Sequence, residues 1–87
     1  MKMLRLPEFK DRLGYRSAAS IYDRIRQGLI TDPVKIGERT SAWPEDEAEA
    51  INAARISGKT DDQIRSLVRR LHARREELGA ALEGATT

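Results

Sequence analysis

Eighty-seven residues with no cysteine, a net charge of +2 and 39% hydrophobic residues leave room for one small domain. They exclude a disulfide framework and any thiolate metal site. No apolar run approaches the roughly 20 residues that cross a bilayer, and Met1-Lys2-Met3-Leu4-Arg5 lacks the apolar stretch that follows the charged start of a signal peptide. A cytoplasmic protein with no membrane partner is therefore expected. Charge is placed unevenly. Residues 1–43 hold nine Lys/Arg against five Asp/Glu, and residues 44–87 hold seven against nine, so a polyanionic partner would meet the first half.

In chain order, Leu4-Arg5-Leu6 reads as a short extended segment. Pro7 then opens a helix, where its missing N–H costs nothing. Phe9 and Leu13 lie one turn apart on its apolar side, Glu8 suits the positive N-terminal end, and Gly14 closes it. Tyr15 and Arg16 lead tightly into Ser17, whose hydroxyl can cap a second helix over 17–27. Ala18, Ile21, Tyr22, Ile25 and Leu29 form the stripe that seeks a core, which makes Tyr22 mostly a core residue. The opposite face carries Ala19, Ser20, Asp23, Arg24 and Gln27, with Arg26 on its flank, and Gly28 stands where a left-handed residue ends a helix. Most amphipathic helices simply solvate such a face. Two short helices joined by a Gly-containing turn, the second with a low-relief polar face, also form the helix-turn-helix pattern, and a major groove admits one helix of this size.

Leu29-Ile30 leads to the turn cluster Thr31-Asp32-Pro33. Val34-Lys35-Ile36 alternates like a strand, Gly37-Glu38-Arg39-Thr40 is a polar turn, and Ser41-Ala42-Trp43 returns antiparallel. The hairpin is expected over 34–43, with Lys35 and Arg39 exposed. Pro44 begins a third helix whose first turn holds Glu45, Asp46 and Glu47, as the helix dipole favours. With no His or Cys nearby, that acidic cluster is not read as catalytic or metal-binding. Ala48, Ile51, Ala54 or Arg55, and Ile56 are expected on its inner face. Thr60-Asp61-Asp62-Gln63 fits the capping box. A fourth helix follows, with an apolar stripe of Ile64, Leu67, Val68, Leu71, Leu78 and Leu82. The stripe breaks at Arg74-Arg75, so residues 74–82 are expected to project, and a tail over 83–87 to fray. The one histidine, His72, lies between arginines, and Ser17, Ser20 and Ser41 have no partner base. No catalytic site, cofactor or metal is expected, and an enzyme is not the reading.

Leu4-Arg-Leu-Pro-Glu-Phe9, Gly14, Ser20-Ile-Tyr-x-x-Ile25, Gly28, Pro33-Val-Lys-Ile-Gly37 and Ala42-Trp-Pro-Glu-x-Glu47 in this order resemble the AlpA family of phage-type regulators. These are small winged helix-turn-helix proteins similar to MerR DNA-binding domains and phage excisionases. The resemblance covers about residues 3–57, and residues 58–75 look like a helical extension of some members. It implies double-stranded DNA binding, in transcription of mobile-element genes or in excision, inside a bacterial or phage-infected cell.

The expectation is thus a mainly α fold with a small β-hairpin, a winged helix-turn-helix over 1–57, a C-terminal helical extension over 58–82, and a flexible tail over 83–87. The DNA-facing set is Arg16, Ser17, Ala19, Ser20, Tyr22, Asp23 and Arg24 on the helix in the groove, and Lys35 and Arg39 on the adjacent backbone or minor groove. Arginine can grip guanine O6 and N7 together, whereas Asp23 is awkward beside phosphates and has Arg26 and Gln27 within helical reach. The alternatives are an excisionase-type DNA-bending factor and, in a different class, a helical protein-interaction module acting through the 64–82 stripe. That stripe is also the candidate surface for self-association.

Overall fold

A computed structural model describes residues 1–86, with side chains to Ala81. The side chain of Leu82 and the end of the expected tail at 83–87 lie outside the described residues. Seven elements follow in order: β1 (Met3–Arg5), α1 (Leu6–Leu13), α2 (Ala18–Arg26), β2 (Val34–Gly37), β3 (Thr40–Pro44), α3 (Glu45–Ile56) and α4 (Asp61–Thr86). The chain is mainly helical, with a small antiparallel sheet.

The sheet has three strands rather than the two expected. Its order is β1-β3-β2, so the returning strand of the hairpin is central and β1 covers its other edge. Leu4 stands opposite Trp43 and Arg5 opposite Ala42. The Glu45 N–H donates to the Lys2 carbonyl at 2.8 Å, which carries the ladder into the start of α3. On the outer side Val34 opposes Ala42 and Lys35 opposes Ser41, and an irregularity between Lys35 and Gly37 bends the tip of the hairpin.

The helix ends follow their local chemistry. Gly14, at φ 83°, ends α1 in the left-handed conformation that glycine adopts without strain. The Ser17 side chain accepts from the Ser20 N–H at the start of α2. At α4 the capping box is complete: the Gln63 N–H donates to Thr60 Oγ1 at 3.2 Å, and the Thr60 N–H donates to Gln63 Oε1 at 2.9 Å.

The core gathers Leu4, Phe9, Leu13, Ile21, Ile30, Trp43, Ala48, Ile51 and Leu71. At its centre the Phe9 and Trp43 rings stack with centroids 4.3 Å apart and planes within 3°. The Trp43 indole N–H donates to the Thr31 carbonyl at 2.9 Å, so the one polar atom of the buried ring is satisfied. A second cluster, Leu29 with Ile64 and Val68, seats the first half of α4.

Three polar clamps join the helices. Asn52 and Arg55 of α3 donate to the carbonyls of Arg12 and Leu13, each at 2.8 Å, and so cap the end of α1. Arg65 of α4 donates to the Gln27 carbonyl at 2.8 Å and caps the end of α2. The acidic first turn of α3 forms the third. Glu45 meets Arg12 at 2.9 Å, Asp46 meets Arg74, and Glu47 takes both Nε and Nη2 of Arg75, at 2.8 and 2.6 Å. The apolar stripe of α4 therefore breaks at Arg74-Arg75 because those positions carry an ionic latch. Arg75 also reaches the Asp32 carbonyl at 2.7 Å, and the Asp32 N–H donates to His72 Nε2 at 3.0 Å. His72 is a tie between α4 and the loop before β2.

Two expected core positions face outward. Ile56 is 87% exposed, because it is the last residue of α3 and lies beyond the helix's contact with the core. Tyr22 is 42% exposed. Ile21 and Ile25 fill the narrow contact that a nine-residue helix makes with the core, and Tyr22 falls on its flank. No described helix is long and apolar enough to cross a membrane.

Candidate nucleic-acid interface

The nine expected residues lie on α2, its leading turn and the β2–β3 hairpin. The turn is held by Lys10, whose ammonium donates to the Arg16 carbonyl at 3.3 Å and leaves the Arg16 side chain exposed. Ser17 and Ser20 hydrogen-bond each other at 3.0 Å between hydroxyls, besides the cap. One hydroxyl of this pair remains free to turn outward toward an acceptor.

Ala19, Asp23 and Arg26 recur at four- and three-residue spacing and are exposed, away from buried Ile21. They form the centre of the outer face. Asp23 accepts from Arg26 at 3.1 Å and from Gln27 at 2.9 Å, so its charge is matched within the helix, as its spacing suggested. Tyr22 and Arg24 stand on opposite flanks. Arg24 is half-buried and lines a cleft of about 260 Å³ with Tyr15, Arg55 and Asp61, toward α3 and α4. Tyr22 faces the sheet and lines a notch of about 180 Å³ with Arg5, Leu6, Pro7, Arg39 and Ser41.

That notch brings α2 and the hairpin together. Two guanidinium groups and two hydroxyls border it, from three segments of the chain. Lys35 is paired with Ser41, and residues directly opposite in an antiparallel pair project from the same face, so Lys35 shares the sheet face of Ser41. Arg16, Ser17 and Ser20, Ala19 and Asp23, Tyr22, Arg39 and Lys35 thus run from the start of α2 across its outer face to the hairpin. Arg24 lies off this path, on the far flank.

Two residues outside the expected set belong to the surface. Arg5 lines the notch, and the alternation of Leu4-Arg5-Leu6 already pointed it away from the core side. Arg26 lies beside Asp23 on the outer face, at a spacing that was visible in the sequence.

Arg5, Arg16, Arg24, Lys35 and Arg39 form no ion pair among the described residues, whereas Arg12, Arg65, Arg74 and Arg75 are all matched by carboxylates. The other cations without an ion pair among the described residues, Arg55, Lys59, Arg69 and Arg70, lie on α3, α4 and the turn between them. Among the described residues no group of His, Cys, Asp and Glu could hold a metal ion. No protein-family model, curated protein or solved structure matches the chain.

Proposed function

We propose that this protein is a sequence-specific double-stranded DNA-binding regulator built as a winged helix-turn-helix. In this reading α2 enters the major groove and the β2–β3 hairpin is the wing on the adjacent backbone. The observation that carries it is the notch at which Tyr22 of α2 and Arg39 of the hairpin meet, bordered by a guanidinium that no carboxylate matches on either strand side. Unmatched guanidinium groups are suited to phosphate oxygens, which take most protein–DNA hydrogen bonds and set the register of the protein on the duplex. The exposed outer face of α2 is low in relief, with Ala19 and Asp23 at its centre, so a groove floor can approach it. Arg16 at its leading end is the best placed to reach a guanine edge. The likeness of residues 3–57 to AlpA-type regulators supports the same reading.

Selection from a random duplex pool tests it. Enrichment of one short motif, bound more tightly than its scrambled counterpart in a gel shift, is the expected result; recovery of no motif refutes sequence-specific binding. A promoter–reporter assay run beside an excision assay then separates a transcriptional regulator from an excisionase-type factor.

A further inference from the structure

A further concavity lies away from the outer face of α2. A groove of about 530 Å³ runs between α3 and α4, floored by Ala50, Ala53, Ala54 and Leu67 and flanked by Lys59 and Arg70. Neither cation forms an ion pair among the described residues. The groove is long, apolar at its base and positive at its rim.

The same molecule carries a matching shape. α3 reaches its first residue beside the Arg74 and Arg75 latch, so α4 continues beyond its last ionic contact with the body. From Glu76 to the end of the helix it extends roughly 16 Å at 1.5 Å per residue. Every described side chain of this stretch, residues 76–81, is exposed, including Leu78 at 40%. It presents two carboxylates, a leucine and small residues, and neither carboxylate forms an ion pair among the described residues.

The two features lie on one face of α4. The groove-lining positions Gln63, Ser66, Leu67 and Arg70 continue, at helical spacing, through Arg74, Glu77, Leu78 and Ala81. A second copy laid antiparallel along this face therefore puts its projecting end into the groove of the first, and receives the first copy's end in return. The register that sets Glu77 of one copy against Arg70 of the other also sets Ala81 against Ser66. Small residues then meet the alanine floor and let the helices approach closely, while the negative end meets the positive rim.

We infer that the protein is a two-fold dimer in which the projecting end of α4, Glu76–Ala81, of each copy fills the α3–α4 groove of the other. The contact is isologous and closed, so it stops at two chains. It does not depend on the DNA-binding reading.

Sedimentation equilibrium of the full chain tests this over micromolar to millimolar concentration. The expected mass is twice the 9.8 kDa of one chain. Arg70→Glu and Glu77→Arg should each weaken the dimer at least tenfold, and the double variant, which exchanges the two charges, should restore it. Helical circular dichroism of each variant reports that the fold is kept; both positions are exposed and neither forms an ion pair among the described residues. The chain has no cysteine, so a Ser66→Cys, Ala81→Cys double variant gives an unambiguous cross-link. Those positions are about 22 Å apart along one helix, so only an interchain disulfide can form on oxidation. A single-chain mass at all concentrations, single charge variants that dimerise like the parent, or a dimer that yields no interchain disulfide would each overturn the proposal.

Discussion

Arg75→Ala should be among the most damaging single substitutions in this chain. Glu47 is only 3% exposed, and Arg75 supplies both hydrogen bonds to its carboxylate. Without Arg75 a buried carboxylate keeps only the weak favour of the α3 N-terminus, and an uncompensated buried charge costs about 3 kcal/mol. The Asp32 carbonyl loses its 2.7 Å donor as well. Glu47→Ala is milder, at about 1–2 kcal/mol, because Arg75 is partly solvated and retains Asp32. The double variant should cost less than the two changes added, with a coupling of about 2 kcal/mol. Urea unfolding at fixed low protein concentration, followed by fluorescence of the single buried tryptophan, measures all three. With a slope of about 1–1.5 kcal/mol per molar urea, the Arg75→Ala midpoint should fall by roughly 2–3 M. A midpoint within about 0.3 M of the parent, or two strictly additive single changes, would refute the latch.

Other substitutions probe the core, the backbone and the interface. Trp43→Phe keeps a ring over Phe9 but removes the donor to the Thr31 carbonyl; a loss of about 1–3 kcal/mol is expected in thermal unfolding. Gly58→Ala and Gly79→Ala should move in opposite directions. Gly58 sits at φ 79° with nothing nearby, so the cost is backbone strain of about 1 kcal/mol, whereas Gly79 lies in open space within α4 and alanine should add about 0.5–1 kcal/mol. Equal shifts of the two melting temperatures would contradict this. Arg39→Ala should leave unfolding within about 0.5 kcal/mol of the parent and weaken DNA binding about tenfold across sequences, with the salt slope reduced by about one. Lys59→Ala, on the far side, should change neither binding nor slope.

What could be read from the sequence was what is fixed within a few residues. Ser17, Gly14 and the Thr60–Gln63 box each meet their partner inside one helical turn, and all three caps are formed as their spacing implies. Asp23 is matched by Arg26 and Gln27 for the same reason. Contacts spanning longer separations were not legible. The pairing of β1 with β3 joins residues about 40 apart, and the partners of Asp46 and Glu47 lie 28 residues downstream. Helical spacing counted Tyr22 with the core stripe because it registers angle and not how wide a contact the neighbours leave. The same rule placed Ile56 inward, although α3 ends there. Of the expected surface, the residues from Arg16 to Asp23 and the hairpin cations fall on one path. Arg24 stands off that path, toward α3 and α4, because the spacing of a polar residue gives no local sign of which neighbour it will face.

Salt dependence of DNA affinity tests the central claim most directly. Fluorescence anisotropy of the selected duplex, titrated between about 50 and 200 mM salt, should give log affinity falling with log salt at a slope of about −5, the value for some six neutralised phosphates. Arg5→Ala and Arg39→Ala should each lower its magnitude by about one. A slope near zero, or a steep slope that neither substitution changes, would contradict a duplex seated on α2 and the β2–β3 hairpin.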